Sequence, residues 1–125
     1  MTLALWCVLA AGILPVLSTG VAKWGAPLDN HRPRDWAESL TGYRRRAYAA
    51  HQNAFEAFPF FAAAVLTAAV TQAPQGVVNL LALVFLAARI GYLGAYLADA
   101  ATLRSVLWLI GWIATIAIFT ASAWA

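Results

Sequence analysis

The sequence contains very little charge. Only 10% of its 125 residues are Asp, Glu, Lys or Arg, where a soluble domain carries about a quarter. With 63% of residues hydrophobic and a mean hydropathy of +0.74, too little polar material exists to clothe a water-facing surface. That excludes a soluble globular domain and leaves lipid as the solvent. Cysteine is nearly absent as well. Cys7 is the single one, so no intrachain disulfide is available, and its place inside an apolar run marks it as a packed core residue. The two histidines, His31 and His51, are isolated. They supply neither the facing pair of a haem bundle nor a zinc set, so no metal is assigned. Lysine is represented by Lys23 alone, and the first six residues have no basic group. A cleaved signal peptide, which needs a basic start and a shorter apolar core, is therefore not expected.

What remains is organised into long apolar runs. A helix that crosses a bilayer needs about 20 mostly apolar residues, and four stretches meet that length: residues 2–22, 47–71, 77–97 and 106–124. One long hydrophilic connection, 23–46, separates the first two and reads as an irregular loop leading into the second helix. Gln72-Ala73-Pro74-Gln75-Gly76 forms a short proline-glycine turn. The last connection is Ala98 to Thr102, with Thr102 placed to cap the fourth helix. Short connections join antiparallel neighbours. The expected fold is an all-α integral membrane protein, a single domain over 1–125 built as an up-down four-helix transmembrane bundle.

The basic residues give the orientation. Lys23, Arg32, Arg34 and Arg44 to Arg46 lie in or beside the first connection, and Arg104 beside the third. The positive-inside rule places connections 23–46 and 98–105 in the cytoplasm and both termini outside. The net charge of +3 thus reports topology, and no nucleic-acid partner is implied.

A few residues do not belong in hydrocarbon. At 100° per residue, Arg46, Asn53 and Glu56 share an arc of about 80° on the second span. Arg89, Tyr92, Tyr96 and Asp99 share an arc of about 80° on the third. An ionisable group at mid-span costs about 2.5 to 3.5 kcal/mol on insertion scales, so these groups must face protein, water or a ligand. The expected pairing is Glu56 with Arg89 or with a basic residue of a neighbouring subunit. Such a pair can serve only to fix helix register, but the number of groups converging near the cytoplasmic side favours a site. Arg44 and Arg45 read as headgroup anchors, and Trp6, Trp24, Trp108, Trp112 and Trp124 as interfacial or packing aromatics. Asn79 is expected to make a polar contact with a neighbouring helix.

The segment from Arg46 to Phe61, with Asn53, Glu56, Pro59 and flanking aromatics, resembles the second-helix signature of the MAPEG family (membrane-associated proteins in eicosanoid and glutathione metabolism). Arg89-Ile-Gly-Tyr92-Leu-Gly-Ala-Tyr96, followed by Leu103-Arg104-Ser105, is similar to that family's third-helix tyrosine segment and the arginine that opens its fourth helix. The pattern is that of a bacterial-type branch, which implies a bacterial inner membrane. The resemblance implies a homotrimer with glutathione held between adjacent subunits near the cytoplasmic face, acting on lipophilic small molecules. By position, Arg46, Asn53, Glu56, Arg89, Tyr92, Tyr96 and Ser105 bind the tripeptide, and Arg104 stabilises the thiolate. The implied activity is a glutathione-dependent transferase or peroxidase of the microsomal glutathione S-transferase kind. The chemistry agrees: two carboxylates call for arginines and an ammonium for a carboxylate, while a cation at a helix start lowers a thiol pKa. Ala49 stands where the family commonly has an arginine, and Ala57 where many members have a tyrosine. Two other classes therefore stay open: a non-catalytic relative with a degenerate site, and a small proton-coupled drug transporter. Nearby arginines disfavour the transporter, because they depress the pKa of a coupling carboxylate.

Overall fold

The computed structural model describes the whole chain, Met1–Ala125. Six helices follow in order: α1 (Leu3–Lys23), α2 (Pro33–Glu38), α3 (Gly42–Val70), α4 (Gln75–Leu97), α5 (Ala101–Phe119) and α6 (Ala121–Trp124). Four of them, α1, α3, α4 and α5, are long and apolar enough to cross a membrane. They are the four expected spans, with different ends. The 29 residues of α3 make a rod of about 44 Å at 1.5 Å per residue, longer than the roughly 30 Å hydrocarbon layer. Its first turns therefore project beyond the lipid and carry Arg44, Arg45 and Arg46. Hydropathy puts those residues in the loop, because it registers the hydrocarbon and not the helix.

Two further boundaries differ from expectation. The fourth span begins at Ala101, and no side chain caps it. Thr102 is thus a helical residue, and Arg104 closes the first turn and Ser105 opens the second, instead of both lying ahead of the helix. At its other end the helix stops at Phe119 and restarts as the short α6. Within the first connection, α2 forms where Pro33 occupies the first helical position, its missing N–H costing nothing there. The Trp36 indole donates to the Pro27 carbonyl (2.6 Å) and Arg45 Nη1 to the Ala37 carbonyl (3.3 Å), which ties the loop back to α3.

Both tight turns end their helices the same way. Ala73 N–H reaches the Ala68 carbonyl and Gln72 N–H the Ala69 carbonyl, and the pattern repeats with Ala100 to Ala95 and Asp99 to Tyr96. These are Schellman closures, which need a left-handed residue after the helix. Gln72 (φ 55°) and Asp99 (φ 57°) take that conformation without being glycine. Asp99 consequently lies past the end of α4 and drops out of the polar stripe expected there.

In cross-section the bundle is a rhombus. Helices α3 and α4 form the short diagonal, α1 packs against both, and α5 packs against both from the other flank. The interior is dominated by alanine: Ala4, Ala11, Ala54, Ala64, Ala68, Ala82 and Ala114 are all buried, with Cys7 among them. Small side chains allow close backbone approach, which is how helices associate where lipid removes the hydrophobic drive. Phe61 and Phe85 stack across the diagonal at 3.8 Å. The bulky residues point out, Leu9, Ile13, Leu66, Leu80, Ile90 and Ile113 among them. A small-inside, large-outside pattern is the reverse of a soluble bundle. The chain is an integral membrane protein.

Two hydrogen bonds establish the up-down order. Asn79 Oδ1 accepts from Ala4 N–H (3.0 Å), bringing the start of α4 to the start of α1. Arg46 Nη2 donates to the Leu97 carbonyl (3.1 Å), bringing the start of α3 to the end of α4. The expected interhelical contact of Asn79 is thus made. Replacing Gln72 by Gly removes the left-handed penalty of roughly 1 kcal/mol. The variant is expected to melt a few degrees higher in detergent; an unchanged or lower Tm rejects the assignment of strain there.

Candidate functional site

Because α3 and α4 share the short diagonal, their polar stripes face one another. Side chain to side chain, the link between them is a single hydrogen bond: Arg89 Nη2 donates to Asn53 Oδ1 at 2.7 Å. Asn53 Nδ2 then donates to Glu56 Oε2 at 3.4 Å, one turn along α3. The expected direct pairing of Glu56 with Arg89 is therefore replaced by a relay through the Asn53 amide. An amide carries an acceptor at one end and donors at the other, so it joins a cation to an anion without either touching. Arg89 is 3% exposed. At that depth its guanidinium is taken up by Asn53 and by the Tyr92 ring.

The stripe continues down α4 as a ladder of rings and guanidinium groups. Arg89 lies 4.3 Å from the centre of the Tyr92 ring. Tyr92 meets Tyr96 edge to face at 5.4 Å, and Arg104, arriving from α5, lies 4.5 Å from the Tyr96 ring. The ring faces carry the negative end of the aromatic quadrupole, so each cation is held by charge as well as by contact. Tyr92 is buried and Tyr96 half-buried, whereas Arg104 is half-buried and Ser105 exposed. Tyr92, Arg104 and Ser105 border one open cleft together with Trp108 and Leu109.

The structure thus joins Asn53, Glu56, Arg89, Tyr92, Tyr96 and Arg104 in one chain of contacts, with Ser105 at its rim. Arg46 stands apart. One of its nitrogens closes the α4 carbonyl at Leu97, and its Nε is buried with no partner. Its visible contact is structural. Ser105 Oγ bonds to the Ala101 carbonyl of its own helix (3.1 Å). Ala49 and Ala57, the two departures from the expected pattern, are half-buried and bring no polar group. His51 turns to α1, where Nδ1 lies 2.6 Å from the Thr19 hydroxyl and 2.8 Å from the Pro15 carbonyl.

The family model for MAPEG matches residues 3–124. The chain belongs to the MAPEG family. The matched span includes all four membrane helices, so the family assignment covers the spans and the polar residues described above alike. No protein of curated function matches the chain.

Sequence spacing alone misses one feature of this MAPEG chain. Trp108 and Trp112 read as interfacial or packing aromatics, yet with Phe60 they wall a second cleft beside Glu56 and Arg89. Their spacing from Arg104, four and eight residues along one helix face, is the signal that points to them. The ladder yields an ordering of stabilities. Tyr92→Leu removes a buried ring under a desolvated guanidinium, a contact worth about 2 kcal/mol, and is expected to lower stability more than Tyr96→Leu. Equal losses in detergent unfolding, or a larger one at Tyr96, exclude the ladder as described.

Proposed function

We propose that this MAPEG protein binds glutathione between neighbouring copies of itself and transfers it to lipophilic electrophiles or reduces lipophilic hydroperoxides with it. The observation that carries the reading is the position of Glu56. It lies about 14 Å inside the second apolar run, nine residues at 1.5 Å each, and is exposed on the surface of the single chain. A carboxylate at that depth cannot face lipid for less than about 2.5 kcal/mol. Asn53 satisfies one of its oxygens, and the rest of its capacity is left for something outside the protomer. A second copy, in a homotrimer as the family resemblance implies, together with a bound ammonium group, meets that need.

The residues present divide the ligand's charges between them. Glu56 suits the glutamyl ammonium of glutathione, and Arg104 suits a carboxylate or the sulfur. Arg89 holds Asn53 and through it Glu56, acting one step from the ligand. In the transferase step the thiolate is the nucleophile, and a free thiol of this kind titrates near about 8.5. Arg104 sits at the start of α5, where its own charge and the helix dipole both favour the anion. Sulfur then bonds to the electrophilic carbon, the leaving group departs with its electron pair, and the thiol proton goes to water. In the peroxidase variant two glutathiones reduce one hydroperoxide to alcohol and water and end as a disulfide.

The basic end of the bundle, with Lys23, Arg44 to Arg46 and Arg104, is taken as cytoplasmic by the positive-inside rule, in a bacterial inner membrane with both termini outside. A second reading has its own support in Ala49 and Ala57. Losing a charge-assisted contact removes about 1.5 to 3 kcal/mol, enough for a retained fold with an idle site. The transporter reading loses ground, since Glu56 is tied through Asn53 to a fixed cation.

Thermal unfolding of the detergent-purified protein with millimolar glutathione separates these readings. Ligand at about 100 times its dissociation constant adds about 2.7 kcal/mol. No shift, combined with no conjugation of a test electrophile, leaves the idle-site reading. Arg104→Ala is expected to abolish conjugation while the glutathione shift persists. Loss of the shift with thiolate still formed assigns Arg104 to binding and rejects its role in stabilising the thiolate.

A further inference from the structure

The first connection folds back on the start of α3, and a polar recess of about 240 Å³ is left where α2 meets it. Arg34 and Glu38 border it from α2, and Arg45, Tyr48 and Gln52 from α3. Of these side chains only Arg45 is engaged within the chain. Its Nη1 donates to the Ala37 carbonyl at 3.3 Å, which anchors the guanidinium at the edge of the recess and leaves its other N–H groups open. Arg34, Glu38, Tyr48 and Gln52 make no side-chain hydrogen bond to another residue, and no ion pair closes Glu38 onto either arginine. The adjacent Arg44 takes no part. It lies over the Tyr43 ring and stands beside Gly25.

Depth decides what reaches the recess. From Arg45 to Gln52 the helix rises about 10 Å at 1.5 Å per residue, and the apolar run begins between them, at residue 47. The recess therefore straddles the border of the hydrocarbon at the basic end of the bundle, beside the headgroup layer where phosphates lie. Its charges narrow the chemistry further. Guanidinium groups are well matched to phosphate oxygens, and here they arrive from two separate elements. That arrangement suits a tetrahedral phosphate better than the flat edge of a carboxylate. Glu38 is the discriminating group, because it repels a second negative charge and offers a fixed partner to an ammonium. A phosphodiester carries one negative charge, and an attached ethanolamine adds one positive charge. Each charge of such a ligand meets its opposite.

We propose that this recess binds a phosphoethanolamine group, with Arg34 and Arg45 on the phosphate and Glu38 on the ammonium. Tyr48 and Gln52 supply donors for the remaining oxygens. A ligand held from both elements fastens α2 to α3, and with it the first connection to the bundle. The site stands apart from the stripe of Asn53, Glu56 and Arg89 and needs no glutathione. The same group is carried by phosphatidylethanolamine in a bilayer and by water-soluble glycerophosphoethanolamine, so the test offers both.

In the lipid arm, native mass spectrometry of the delipidated, detergent-purified protein measures retention of phosphatidylethanolamine and phosphatidylglycerol offered in equal amounts. Retention of the first is expected to be at least about tenfold tighter. Glu38→Gln is expected to erase that preference, since phosphatidylglycerol then meets no repelling carboxylate. Arg34→Gln and Arg45→Gln are each expected to weaken retention of phosphatidylethanolamine about tenfold. Arg34→Gln breaks no hydrogen bond of the fold, so it covers the case in which Arg45→Gln frees the loop from Ala37. In the soluble arm, glycerophosphoethanolamine is titrated while thermal unfolding is followed. A shift that Arg34→Gln abolishes upholds the site for a soluble phosphodiester. Selective lipid retention without a shift upholds it for the bilayer lipid. Equal retention of the two lipids together with no shift overturns the proposal. So does a lipid preference that survives Glu38→Gln, or a shift that survives Arg34→Gln.

Discussion

A guanidinium placed inside a membrane protein has to be answered by another polar group, and in this chain the answer is one amide. Arg89 is among the most deeply buried residues of the bundle, and the Asn53 carbonyl oxygen at 2.7 Å is its hydrogen-bond partner from another helix. That requirement sets α3 against α4 along the short diagonal and fixes their register. The alanine interior then lets the backbones close up, with Phe61 on Phe85 as the one large stacked contact across the interface. Register, in turn, decides where Glu56, Tyr92, Tyr96 and Arg104 stand. Tyr92 meets Arg89 directly, Glu56 and Tyr96 are reached in two contacts, and Arg104 in three.

The same link divides structural from chemical duties. Arg89 and Tyr92 are buried and hold the stripe. Glu56, Arg104 and Ser105 remain reachable and, in the function proposed above, are the groups that meet a ligand or another copy. Intramembrane polar contacts average under about 1 kcal/mol because the membrane-inserted reference state also finds partners. A charged donor buried on a diagonal between two helices has fewer such alternatives. The stripe is therefore stable where it is deep and adaptable at its edge.

Much of this is legible in the sequence because lipid imposes a simple rule. Four apolar runs of spanning length give the four helices, and of the residues that carry the MAPEG resemblance the structure brings Asn53, Glu56, Arg89, Tyr92, Tyr96 and Arg104 together in one chain of contacts. The failures have physical causes. The start of α3 lies outside the hydrocarbon, so hydropathy places it in a loop. The start of α5 lacks a capping side chain, so Thr102 is the wrong marker. Periodicity puts Asp99 on the α4 stripe, but a left-handed turn residue does not follow helical periodicity. Glu56 and Arg89 do stand on facing arcs, as their spacing implies. Which atom of which side chain closes the gap depends on distances of an ångström or so, and residue spacing does not resolve them. The aromatic cleft escapes for the converse reason: Trp108 and Trp112 are ordinary membrane residues until Phe60 and Gly111 are set opposite them.

The central claim is that the Asn53–Arg89 hydrogen bond organises the bundle and its site. A double-mutant cycle with Asn53→Leu, Arg89→Leu and the double variant, read by unfolding in detergent, tests it most directly. Removing one partner strands the other, while removing both leaves an apolar contact that membrane helices tolerate. The double variant is therefore predicted to be more stable than the sum of the single losses implies, by about 1 to 3 kcal/mol. Additivity within about 0.5 kcal/mol would contradict the account, because the two side chains would then be acting independently.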